Sequence, residues 1–154
     1  MRIEFVHCTV PNSHKYLRAT LARIVAFCKS LDSDADPERM YTDCAANYFF
    51  EDPGLVMLAG IDDNNKVVAH LVASMDNYFD GKFVTILQCW KDSNVKDFDM
   101  AGKHGLVERL KTWARANGAK DVRTWARNET IAQILEGYDC GFERSEKVLL
   151  SVPV

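Results

Sequence analysis

The residues best placed to do chemistry lie where a glycine-bearing loop runs into a helix: Gly102-Lys103-His104-Gly105, then Leu106, Leu110, Trp113, Ala114 and Asn117 at helical spacing. Gly118 sits where a left-handed helix stop is wanted, and Val122, Thr124 and Ala126 then alternate as strand residues do. A helix start presents unpaired backbone N–H groups and the positive end of the helix dipole, so this junction suits an anion, a phosphate above all. Charge is distributed to match. Seven basic residues fall between Lys103 and Arg127 against Glu108 and Asp121, whereas Asp32 to Asp63 holds nine acids and one cation, Arg39.

The remaining chemically able residues read more plainly. Cys8, Cys28, Cys44, Cys89 and Cys140 are odd in number and scattered, without a C-x-x-C pair or histidines at ligand spacing, so the expectation is reduced, packed thiols and no metal. His70 lies in an apolar strand and reads as a hydrogen-bonded core histidine. Cys89 has no identifiable neighbouring base and reads as a packed thiol. Trp90, Trp113 and Trp125 read as core or interface aromatics. The net charge of -3 is too mild to dictate a partner, and nucleic acid is not expected.

The elements that must position the loop follow from the pattern. A length of 154 residues suits a single domain over 1–154, and no apolar run approaches a bilayer span. The N-terminal residues resemble neither a signal peptide nor a transit sequence, so a cytoplasmic protein is expected. Residues 3–8 read as a strand. Pro11, Asn12 and Ser13 announce a helix with Tyr16, Leu17, Leu21, Ile24, Val25 and Cys28 on one face, ending near Ser30. Pro37 opens a second helix to about Tyr48. From Leu55 the period changes to that of strands: 55–61, a turn at 62–65, 66–75, a second turn at 80–82, and 83–90, an antiparallel meander. After the central helix and its following strand, Asn128 caps a helix to about Glu136, residues 137–142 break it, and 148–152 form a last strand.

This order resembles the GCN5-related N-acetyltransferase (GNAT) superfamily along almost the whole chain, most closely in residues 106–120 and from Asn128 to the Gly141-Phe142 corner. The resemblance implies an α/β (α+β) fold: a mixed, mostly antiparallel sheet of six or seven strands flanked by about four helices. It also implies transfer of an acetyl or acyl group from acetyl-CoA or another acyl-CoA to an amine on a small molecule or protein.

In the family a Gln/Arg-x-x-Gly-x-Gly/Ala loop holds the CoA pyrophosphate by its backbone. Counted back from Trp113, that loop falls on Phe98-Asp99-Met100-Ala101-Gly102-Lys103, departing at Phe98, Ala101 and Lys103. Ala101, Gly102, Lys103 and His104, with Asn128 on the pantetheine, are the donor-binding residues this implies. The family's base is commonly a carboxylate on the strand that here runs from Phe83 to Trp90 and holds none, which leaves Asp92 just beyond it. The family's acid is frequently a tyrosine on the closing helix, and here Tyr138 stands one residue past that place. A fainter resemblance, to GNAT-like proteins in the virions of short-tailed bacteriophages, implies an alternative: a catalytically inactive fold serving as an assembly component, in contact with virion proteins or further copies of itself.

Overall fold

Pattern becomes geometry in the computed structural model, which describes residues 2–6, 14–30, 36–50, 54–78, 81–96, 100, 102–126, 129–137, 141–145 and 152. Nine elements follow in chain order: β1 (Arg2–Phe5), α1 (His14–Ser30), α2 (Pro37–Phe50), β2 (Leu55–Ile61), β3 (Val67–Tyr78), β4 (Gly81–Lys91), α3 (Leu106–Ala116), β5 (Ala119–Thr124) and α4 (Glu129–Glu136). The five strands form one sheet in the order β1-β2-β3-β4-β5. The first three pairings are antiparallel, and β4 with β5 is parallel. A parallel pair needs a crossover long enough to bring the chain back, and α3 supplies it.

Turn chemistry sets the meander's register. Asp62 Oδ1 accepts the N–H groups of Asn64 and Lys66 at 2.9 and 2.8 Å, while Asn65 takes the left-handed conformation (φ 62°) that asparagine tolerates better than most residues. At the other hairpin Gly81 has φ 132°, and a Cβ there would come within 2.7 Å of Lys120 Cε. The backbone conformation demands glycine at this corner, while the flexible end of Lys120 can move aside.

The sheet is covered on both faces. On one, Leu106, Leu110 and Ala114 of α3 join Leu58, Leu71, Val84 and Ile86 in a buried cluster. On the other, Tyr16, Leu21 and Ile24 of α1 and Cys44 and Tyr48 of α2 join Met57, Ile61, Val67 and Val72. Each such fully buried aliphatic side chain contributes roughly 1.5–3 kcal/mol by leaving water.

The α+β class and the mixed, mostly antiparallel sheet match the reading from sequence. The described strands number five, short of six or seven, and the described helices four. The helix-start signals Pro11 to Ser13 lie outside the described residues, as does the expected closing strand apart from Val152, which is not in a strand. No described helix is long and apolar enough to cross a membrane.

Candidate functional site

The site begins where two parallel strands stop holding each other. Pairing of β4 with β5 runs from Lys82↔Ala119 to Ile86↔Thr124, after which β4 continues to Lys91 beside β3. Just past the last pair the β3–β4 register shifts: Ala73 faces Ile86 and Val72 faces Gln88, so Leu87 is the extra residue of a bulge. A bulge leaves its extra residue out of the ladder and bends the strand. Leu87 and, on the β5 side, Trp125 stand 49% and 67% exposed at this parting. Of the two roles expected of Trp125, core or interface, its exposure excludes the core.

A crossover helix starts from the carboxyl end of the strand before it, so α3 opens beside this parting, where open α/β sheets place their ligands. Leu106 packs in the same cluster as Ile86, Cys89, Val95 and Met100. Gly105 is the N-cap, with φ -82° and ψ 176°, and no side chain caps the helix. A turn leads in: the Gly105 N–H donates to the Gly102 carbonyl at 2.8 Å, and the Val107 N–H to the Met100 carbonyl at 3.1 Å. Lys103 and His104 are exposed on that turn, Gly102 is half-buried and Gly105 buried. The helix start thus keeps its electropositive end unoccupied by any side-chain cap.

On the opposite face, side chains anchor β4 beyond the bulge. Gln88 Oε1 meets His70 Nε2 at 2.5 Å, and Gln88 Nε2 donates to Cys28 Sγ at 3.0 Å. His70 stacks on Trp90 with centroids 5.6 Å apart, and the Arg23 guanidinium lies 5.2 Å from the Trp90 ring centre. Burial holds the His70 imidazole down at about 4 against 6.5, keeping it neutral. His70 is therefore a core histidine, as its apolar strand suggested. Burial also pushes the Cys89 thiol up to about 12, so it is no ready nucleophile.

The residues expected from sequence fare differently. Gly102, Lys103 and His104 come together on the turn before α3. Ala101, Asn128 and Tyr138 lie outside the described residues, as do 98 and 99 of the loop. Asp92 ends β4 in an Asx turn: its Oδ1 accepts the Asn94 N–H and Nδ2, each at 3.0 Å, and its own N–H donates to the Val68 carbonyl. The Asn94 backbone bond, more than any other cause, holds its carboxyl below the usual range. A carboxylate so satisfied is a weaker base than a free one.

The bulge at Leu87 and the His70–Gln88 pair escaped sequence reading; the apolar residues around position 87 carry no local mark of a bulge. Two cavities, of about 430 and 480 Å³, lie elsewhere, one lined by Lys111, Arg115, Lys120 and Phe142 and the other by Lys29, Asp36 and Tyr41. No group of three metal-ligating side chains is found among the described residues.

No family model matches the chain. Solved structures do. The acetyltransferase AAC(6')-Iy, in complex with the bisubstrate analogue CoA-S-monomethyl-acetylneamine, is similar with a TM-score of 0.72 at 15% identity, over 99% of this chain and 97% of that one. Glucosamine-6-phosphate N-acetyltransferase from Arabidopsis thaliana follows with a TM-score of 0.66 at 13% identity, over 99% of both chains. A predicted acetyltransferase from Clostridium acetobutylicum with acetyl-CoA gives 0.64 at 12%, over 97% and 96%. Strand order, the parallel β4–β5 pair and full-length similarity agree: the chain has the fold of the GCN5-related N-acetyltransferases.

Proposed function

We propose that the chain is an N-acyltransferase that moves an acyl group, acetyl in the simplest case, from acyl-CoA to a small-molecule amine. The observation that carries this reading is the coincidence of the β4–β5 parting with the uncapped start of α3. Two of the neighbours were solved with CoA ligands, acetyl-CoA in one and a CoA bisubstrate analogue in the other, which supports the same donor here.

In this reading the pyrophosphate lies against the turn at 102–105 and the start of α3, held by main-chain N–H groups other than those of Gly105 and Val107, which the turn itself uses. The family's loop pattern then belongs on Gly102-Lys103-His104-Gly105-Leu106-Val107, against the helix start, and not on the earlier stretch from Phe98. Gly105 takes the place of the first glycine, Val107 the second small residue and Gly102 the polar one. Lys103 and His104 add side-chain charge. The resemblance adds Ala101 to the donor-binding residues and gives Asn128 the pantetheine as its partner.

The amine nitrogen attacks the thioester carbonyl carbon. In this reading a main-chain N–H of β4 just past its last β5 pair is the donor that steadies the developing oxyanion. As the C–N bond forms, the C–S bond breaks and its electrons leave with the thiolate, which takes a proton from the Tyr138 hydroxyl. The nitrogen gives its proton to water, which restores Tyr138. Gln88 has no part in this, its side chain being committed to His70 and Cys28. The competing reading, an inactive virion component, would fit a phosphate loop that departs at every motif position; with Gly105 at the helix start the loop keeps its first glycine.

The test is release of free thiol from acetyl-CoA in the presence of primary amines. Amine-dependent release is expected, and none with any amine at millimolar concentration would contradict the reading.

A further inference from the structure

The sheet face opposite α3 carries a carboxylate that the chemistry above leaves unused. Alternation and register place Ser74 and Asp76 of β3, Phe83 and Thr85 of β4, and Asp121 and Arg123 of β5 side by side on that face. Thr85 Oγ1 donates to Asp76 Oδ2 at 2.7 Å, and Ser74 Oγ donates more weakly to Oδ1 at 3.4 Å. Arg123, the nearest cation in register, is engaged elsewhere. Its guanidinium carbon lies 3.6 Å from the Phe83 ring centre, and Nη2 bonds Asp121 at 3.3 Å. Asp76 is half-buried and, among the described residues, forms no ion pair. Two hydroxyls orient a carboxylate but leave it acceptor positions and its charge. A partly desolvated charge of this kind is stabilised when a cation docks against it.

Its place along β4 says which cation. Asp76 pairs with Phe83, four positions before the bulge residue Leu87, but its carboxylate reaches Thr85, two positions before Leu87 and about 7 Å of strand from it. Leu87 and Trp125, both exposed at the parting, offer apolar contact to methylene groups. We infer that Asp76 docks the second ammonium group of a diamine acceptor whose reacting nitrogen lies at the β4–β5 parting, about 7 Å away. This rests on the acyl-transfer reading of the parting and adds the acceptor's class to it: a di- or polyamine with nitrogens spaced by about four or five methylenes. Asp76 is then a specificity-determining residue.

Calorimetric titration of butane-1,4-diamine and of butylamine into the wild type and Asp76→Asn, with and without CoA, tests it. Asparagine keeps the shape and an acceptor for Thr85, so the fold is expected to persist. The wild type is expected to prefer the diamine by about tenfold or more, and the variant to lose that preference, with CoA binding unchanged. In turnover, the substitution raises KM for the diamine about tenfold, with kcat and the butylamine KM unmoved. Equal affinity for the two amines, or a preference untouched by the substitution, overturns the inference whatever CoA does. An Asp76-dependent diamine preference without thiol release from acetyl-CoA would overturn the acyl-transfer reading while keeping the ammonium site.

Discussion

The two halves of β4 are held in different ways. From Gly81 to Ile86 the strand is bonded through its backbone to β3 on one side, and from Lys82 to β5 on the other. From Leu87 onward the β5 partner is gone, and side chains help fix the strand: Gln88 to His70 and Cys28, Trp90 between His70 and Arg23. A sheet that opens to admit a ligand gives up main-chain bonds along one edge, and here a buried polar pair and an aromatic stack help hold that half in place. The first half serves stability, and the second holds a shape.

Damage to the first half should be general. Ile86→Ala removes a buried side chain between sheet and α3 and is expected to cost about 2–5 kcal/mol, read as a lower midpoint in denaturant. A loss below about 1 kcal/mol would mean that this half is no more tightly built than the other.

Acid should act on the second half. Folding holds His70 at about 4 against 6.5, so between those values the unfolded chain takes up a proton that the folded chain refuses. Stability from this source is complete above pH 6.5, declines as the pH falls toward 4 and is lost below that. The whole effect is on the order of 3 kcal/mol. Denaturation at a series of pH values should show it in the wild type and show a flatter profile in His70→Gln. Identical profiles would remove the buried imidazole from the account.

Why some of this could be read in advance and some could not is a matter of range. Elements marked by local chemistry were legible. The first helix ends at Ser30, Pro37 opens the second, Asp62 and Asn65 shape a hairpin, Gly118 stops α3 with φ 78°, and α4 runs to Glu136. The start of α3 was legible too, because glycines and an apolar period sit in adjacent residues.

The bulge was not. It arises from how Val72 and Ala73 meet β4 across the sheet, and no residue between Thr85 and Cys89 announces it. The turn at Asp92 was not legible either, because a carboxylate after a strand looks the same whether or not it closes a turn; the Asn94 contacts show that it does. Asp76 was overlooked because its relation to Thr85 exists across strands, nine positions apart.

The claim on which the rest depends is that the mouth between the parted strands and the start of α3, which no side chain caps, grips a pyrophosphate. Thermal unfolding with CoA tests it most directly. A ligand at a hundred times its Kd adds about 2.7 kcal/mol to apparent stability, roughly 5–10 °C in Tm for a chain of this size. Lys103 is exposed, so Lys103→Glu should leave the unliganded Tm in place and abolish the rise. A wild type that ignores millimolar CoA, or a Lys103→Glu variant that responds to it as fully as the wild type, would contradict the account.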